Sequence, residues 1–296
     1  MNTNKKTWIS WLLFLSLSFI WGSSFILMKL GMYNDSGDSV LSPYQVAAIR
    51  LLSAGVVLIP FALKSFTLIP QKKLGMVILS GVVGSFIPAF LFCIAETNID
   101  SALAGALNAL TPVFAIVIGV FLYKTNVPWN KLMGIFIALL GCFLLLFTKE
   151  EKSSDNIWFA GFVLLATILY GMNVNIVRHS LQEIGSLNIA TVAFVALIIP
   201  SLIVLCSTGY FNLPLKQPVY IRASFASALL GIGGTAIASI FFYMLVKRAG
   251  ALFASMVTYG IPFVAIFWGM IYGEHITLFQ VISLGIILIG VFLANK

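Results

Sequence analysis

The sequence predicts an all-α integral membrane protein in which ten transmembrane helices form two inverted five-helix repeats around a central cavity. Three observations predict it. Of the 296 residues 60% are hydrophobic and only 9% charged, with a mean hydropathy of +1.07, whereas a soluble domain carries about 25% charged residues. The apolar residues form ten continuous runs, each near the roughly 20 residues a helix needs to cross a bilayer core of about 30 Å. The second half of the chain also repeats the first at a nearly constant offset.

The runs lie at about 9–31, 45–63, 74–95, 102–122, 132–147, 158–178, 188–207, 223–246, 251–272 and 277–294. They are too continuous for β-barrel strands, which alternate over about ten residues. Their connections are short, and none could hold a soluble domain. Lys5 and Lys6 precede the first run as they would a signal peptide, but the run continues to Leu30 without a small-residue cleavage pattern, so it is read as helix one. Composition thus excludes an ordinary soluble enzyme, a disordered segment and a nucleic-acid-binding protein. The net charge of +8 comes from 17 Lys and Arg scattered near the run boundaries, which is the distribution of orientation signals. Cys93, Cys142 and Cys206 sit within apolar runs without metal-ligand spacing and are expected as free thiols.

With the amino terminus in the cytoplasm, eleven basic residues fall inside: Lys5, Lys6, Lys64, Lys72, Lys73, Lys124, Lys131, Arg178, Lys247, Arg248 and Lys296. Four fall in outside loops: Lys149, Lys152, Lys216 and Arg222. This bias predicts an inner-membrane protein with both termini cytoplasmic. Most acids (Asp35, Asp38, Glu96, Asp100, Glu150, Glu151, Asp155 and Glu274) fall outside, which agrees.

The halves are expected to divide at 1–150 and 151–296. Gly81 and Gly84 match Gly231 and Gly234, Phe92 matches Phe242, Ala104 matches Ala254, Pro112 matches Pro262 and Gly119 matches Gly269, all at offset 150 without a gap. After the loss of one residue, Gly141 matches Gly290. Helices one and six match at offset 149, with Trp21-Gly22 against Tyr170-Gly171 and Lys29 against Arg178. Each repeat has an odd number of spans, so the second must be inverted relative to the first. Inverted repeats place a substrate site near the midplane between the halves and let it open to either side. The expected activity is that of a secondary transporter.

Trp21-Gly22-Ser23-Ser24-Phe25, the Arg50-containing start of helix two, Leu110-Thr111-Pro112-Val113-Phe114, Tyr259-Gly260-Ile261-Pro262 and Gly273-Glu274 together resemble the drug/metabolite transporter superfamily, in its ten-helix EamA-type branch. The resemblance covers almost the whole chain. One departure is Tyr123-Lys124, where the family usually shows Gly-Glu. The resemblance implies export, less often uptake, of amino acids, other small metabolites or drugs, and a cavity bounded mainly by helices one, three, four, six, eight and nine.

Candidate substrate-binding residues are Trp21, Ser24, Asn108, Tyr170, Asn173, Tyr243, Thr258 and Tyr259. Pro112 and Pro262 remove the helical bonds to the carbonyls of Asn108 and Thr258, which leaves two polar spots either facing the cavity or re-satisfied by side chains or water. Ser24 and Asn173 occupy matching repeat positions, each three residues after an aromatic, Trp21 or Tyr170. These two, with Asn175, line a cavity or bind neighbouring helices together. Tyr243 and Tyr259, with Phe92 and Phe242, could wall a pocket for an apolar or amphipathic solute, or simply pack. Arg50 is the clearest charge within a span. Its alternatives are an outer-gate ion pair with Glu96, contact with an anionic substrate group, or snorkelling to headgroups.

Gly231-Ile232-Gly233-Gly234-Thr235-Ala236 imitates a dinucleotide fingerprint but has no preceding strand; close helix packing explains it better. His179 and Glu183 at i,i+4 are expected to be solvated, and Asn34-Asp35-Ser36 to match a glycosylation sequon by chance. No cofactor and no metal site is expected. The expected partners are a small-molecule substrate and the lipid bilayer, not nucleic acid, and a monomer is the expected state. A membrane enzyme would need clustered carboxylates, histidines or a nucleophile with its base, and a channel a continuous polar pore; the sequence offers neither. No Asp or Glu lies in mid-span, so facilitated diffusion or exchange is expected rather than proton coupling.

Overall fold

The computed structural model describes residues 3–124, 128–146, 156–273 and 276–295. The expected repeat boundary at 150/151, the charged residues Lys149, Glu150, Glu151, Lys152 and Asp155, the pair Glu274 and His275, and Lys296 lie outside these. The described chain folds into ten principal helices: α1 Thr3–Met32, α2 Pro43–Leu68, α3 Gln71–Ala95, α4 Ser101–Tyr123, α5 Trp129–Leu146, α6 Asn156–Ser180, α7 Ser186–Ser207, α8 Pro218–Gly250, α9 Val257–Ile271 and α10 Leu278–Asn295. Seven are long and apolar enough to cross a membrane by themselves; the apolar parts of α5, α9 and α10 are shorter.

The ends of these helices follow from local chemistry. Ser42 and Gln45 close a reciprocal capping box ahead of α2, with Pro43 in its first turn, a position where the missing N–H costs nothing. Asn34 Oδ1 accepts from the Ser36 and Asp38 backbone N–H groups, so the sequon-like tripeptide forms the turn between α1 and α2. Lys124, the residue of the Tyr123-Lys124 departure, ends α4 in the left-handed region at φ 52. Gly273 takes the same role after α9 at φ 80, where glycine bears no Cβ penalty.

Packing follows the internal repeat. α1 packs on α8 and α9, and its counterpart α6 packs on α3 and α4; α2 packs on α8 as α7 packs on α3. The pairs α2–α7, α4–α9 and α5–α10 join equivalent helices across the halves. The α5–α10 pair sits at close backbone range, since a Cβ on Gly290 would lie 2.7 Å from Ala138 Cα and 2.8 Å from the Gly134 carbonyl. Small residues permit this approach where lipid offers helices no hydrophobic incentive to associate.

Contacts between loops gather at the two ends of the bundle. Arg222 pairs with Asp35 at 2.6 Å, and Gln45 Nε2 donates to the Thr208 carbonyl at 3.0 Å, all at the end of the bundle that carries loop 33–42. At the opposite end Lys73 Nζ pairs with Glu183 at 3.0 Å and donates to the Ser180 carbonyl at 2.6 Å, while Tyr123 stacks on His179. A backbone hydrogen bond, then Lys73, holds the Glu183 carboxyl below its ordinary pKa. Among the described residues no metal-binding cluster forms, and the three cysteines are free.

Two irregularities position the site. α3 widens into a π-helical turn at Val82–Phe86 and α8 at Leu230–Ile237, the same place in each repeat. Such π-turns frequently occur at functional sites, because the wider spiral leaves carbonyls free of helical partners. The glycines that imitate a dinucleotide fingerprint lie in the second π-turn: a Cβ on Gly231 would collide with Ser53 and the Arg50 backbone of α2, one on Gly234 would press on Ser24 of α1, and one on Gly233 would meet nothing within 4 Å.

Candidate functional site

A cavity of about 840 Å³, counting the open space at its mouth, lies between the two halves. α1, α3, α4, α6, α8 and α9 line it, and α2 adds Arg50. Most of the lining comes in repeat-related pairs. Trp21 is matched by Tyr170, Ser24 by Asn173 and Phe25 by Val174 at offset 149; Gly84 by Gly234, Ser85 by Thr235, Phe92 by Phe242 and Asn108 by Thr258 at offset 150.

The aromatic pairs form two walls. Trp21 of α1 packs on Phe242 of α8 with ring centroids 5.3 Å apart, and Tyr170 of α6 stacks on Phe92 of α3 at 5.9 Å. Each contact is the other's counterpart with the repeats exchanged. Offset or tilted ring pairs at this spacing satisfy their own quadrupoles and still offer flat apolar surface.

The polar groups are mostly committed to holding the walls in place. Trp21 Nε1 donates to the Gly234 carbonyl at 3.0 Å, within the π-turn of α8. Ser24 Oγ donates to the Ile20 carbonyl at 2.9 Å. Thr111 Oγ1 donates to the Asn108 carbonyl at 2.8 Å, so the acceptor freed by Pro112 is re-satisfied by a side chain. The helix breaks at Ala109 and Leu110 and restarts at Thr111, which places Pro112 in a first turn. Pro262, by contrast, lies inside α9. At the end opposite loop 33–42, Ser80 Oγ donates to Asn173 Oδ1 at 2.6 Å.

Among the sequence-derived candidates, Trp21, Ser24, Asn108, Tyr170, Asn173, Tyr243, Thr258 and Arg50 line the cavity. Tyr259 and Glu96 do not. Asn175 belongs to helix packing, because its amide donates to the Ala115 and Gly171 carbonyls at 2.8 and 2.9 Å. Arg50 is buried, with 8% of its surface exposed, and does not snorkel. Its Nε donates to Thr235 Oγ1 at 2.6 Å and its Nη1 faces Met28 Sδ at 3.9 Å. α2 begins two residues earlier than expected, which carries Arg50 deeper. Glu96 is buried at the C-cap of α3. Sequence reasoning missed Ser85, Thr111, Thr235 and Ser239. The gapless offset carried the signal for Ser85 and Thr235, and a hydroxyl just before a helix proline carried it for Thr111.

The EamA-like transporter family matches the chain twice, over residues 8–147 and 157–296. An S-adenosylmethionine/S-adenosylhomocysteine transporter of Chlamydia muridarum is 28% identical over 292 residues, covering 94% of this chain and 89% of that one. A probable amino-acid metabolite efflux pump of Escherichia coli is 24% identical over 168 residues, 54% of this chain and 52% of the other. A protein of known crystal structure, 17% identical, superposes with a TM-score of 0.65 over 96% of both chains, which shows a shared fold. With two family matches that together span nearly its whole length, the chain belongs to the EamA-like transporter family and is a membrane transporter rather than an enzyme.

Proposed function

We propose that this protein exports a small amino-acid-like metabolite or a drug across the cytoplasmic membrane by alternating access, with the cavity between its repeats as the transport site. The observation that carries this reading is the paired lining. A site built from equivalent residues of two inverted repeats presents similar walls whichever side is open. The flat aromatic surfaces suit an apolar or planar group, and Asn108, Thr258 and Asn173 offer polar contacts. The names of the relatives, a transporter of S-adenosylmethionine and S-adenosylhomocysteine and a probable amino-acid metabolite efflux pump, point to solutes of this size and polarity. Domains 1–150 and 151–296, inner-membrane placement and cytoplasmic termini complete the proposal.

The test is a thermal-stability screen of the purified protein against metabolites and drugs, followed by counterflow in proteoliposomes with each stabilising compound. A transported solute stabilises the native state by mass action, and Trp21→Ala should remove both stabilisation and transport. A compound that exchanges across the liposome membrane as fast through Trp21→Ala as through the unaltered protein would sink the assignment of this cavity.

A further inference from the structure

The two aromatic walls touch each other through one ring contact, and it lies at one end of the cavity. Trp21 on Phe242 ties α1 to α8, and Tyr170 on Phe92 ties α6 to α3. Each wall therefore stays within one group of helices, since α1 packs on α8 and α9 and α6 packs on α3 and α4. A third contact crosses between the groups. Phe25 of α1 meets Phe92 of α3 edge to face, with ring centroids 5.7 Å apart and the planes at 65°. Both rings line the cavity, and both are buried. The backbones of α1 and α3 do not pack closely on each other, so side chains span the gap.

This contact sits toward loop 33–42. Trp21, Phe25 and Met28 follow one another along α1 in that direction, and Phe92 lies three residues before the same end of α3. The repeat counterparts of Phe25 and Phe92 are Val174 and Phe242, toward the opposite end. Valine carries no ring, and among the described residues no ring contact joins α6 to α8. Tyr243 also lines that end, where its own repeat position is held by Cys93. The two ends are thus closed by different side chains.

Alternating access in inverted-repeat carriers moves one group of helices against the other. A contact within a group can travel whole, but a contact between groups has to part when its end opens. Both walls are of the first kind, and Phe25 on Phe92 is of the second. From this geometry we infer that Phe25 and Phe92 form the gate at the loop 33–42 end of the cavity, and that the opposite end lacks such a ring pair. The inference rests on the cavity being the transport site and adds the contact that controls access to it from one side. An edge-to-face pair holds the closed end beyond what its buried area supplies. Valine at position 25 would give this end the side chain of its counterpart.

The test reads access to the cavity with a single cysteine and needs no solute. In the full-length protein Cys93, Cys142 and Cys206 are replaced by alanine. Ser85→Cys, at the π-turn of α3 in the cavity lining, is then labelled with a membrane-impermeant maleimide in intact cells and in inverted membrane vesicles. Asp35→Cys and Lys73→Cys in the same parent show which face carries loop 33–42. Phe25→Val should raise the labelling rate from that face by about 2- to 12-fold, the range that an aromatic pair is worth, and should not raise it from the other. Val174→Phe should lower labelling from the opposite face. The double variant keeps the summed side-chain volume and should show both effects, which guards against a folding defect in either single change. A rate that Phe25→Val leaves unchanged, or raises equally from both faces as loosened packing would, overturns the gate. A double variant that labels like the parent does so too. Counterflow that Trp21→Ala still abolishes would leave the transport site standing in each case, so the two readings fail separately.

Discussion

The indole of Trp21 donates to the carbonyl of Gly234, 213 residues away, across the interface between the two repeats. The bond joins α1 to the π-turn of α8. Trp21 thus serves two ends. Its ring walls the cavity and its N–H stabilises the irregularity that shapes it. Trp21→Phe separates the two, because it keeps a ring against Phe242 and deletes the donor. We expect it to lower stability by about 1 kcal/mol, the usual net value of such a bond, seen as a reduced unfolding temperature in detergent. Unchanged stability would mean that cavity water replaces the indole without cost.

Two glycines of one helix should respond oppositely to alanine. A Cβ on Gly290 of α10 would press on the backbone of α5 at Ala138 and Gly134, whereas nothing lies within 4 Å of one on Gly285. Backbone cannot rotate away as a side chain can. Gly290→Ala should therefore cost about 1–3 kcal/mol through overpacking, and Gly285→Ala should be neutral or gain up to about 1 kcal/mol from helix propensity. Thermal unfolding of both variants checks the difference in sign.

Much of this architecture was legible in the sequence, and the residues show why. Bilayer thickness forces long apolar runs, so the helices could be counted. The offset near 150 survives in the residues that touch the cavity, so Trp21, Tyr170, Asn108 and Thr258 could be found together. What could not be read is the direction in which a polar side chain turns. Asn173 and Asn175 lie two residues apart on α6 and looked alike, yet one faces the cavity and the other donates to backbone of α4 and α6. The partner of Arg50 was equally hidden. A π-turn in α8 adds an extra residue to the spiral, and it is in this segment that Thr235, 185 residues away, meets the guanidinium.

The sidedness of the loops can be tested in intact cells by cysteine labelling. Cys206 is exposed and would react itself, so the parent is Cys206→Ser. In that background Asp35→Cys and Arg222→Cys should react with a membrane-impermeant maleimide added outside. Lys73→Cys and Glu183→Cys should react only after the cells are opened. These residues form the two exposed ion pairs at opposite ends of the bundle. Labelling of Lys73→Cys in intact cells would invert the orientation that the basic residues predict.

The last prediction concerns energy coupling. Proton-driven carriers place an ionisable group in the transport path, and the described lining of this cavity holds no Asp, Glu, His or Lys. Its one charge belongs to Arg50, which cannot release a proton. With no titratable group of this kind in the lining, substrate binding itself must drive the change of access, so an empty carrier has less to drive its return than a loaded one. Return in the loaded form should therefore be faster. In proteoliposomes filled with a transported solute, efflux should speed up when the same solute is present outside. An imposed pH gradient should not drive accumulation above equilibrium. The competing account is proton coupling through Glu96, which is buried at the C-cap of α3. Accumulation driven by the pH gradient and abolished in Glu96→Gln would establish that account and overturn exchange.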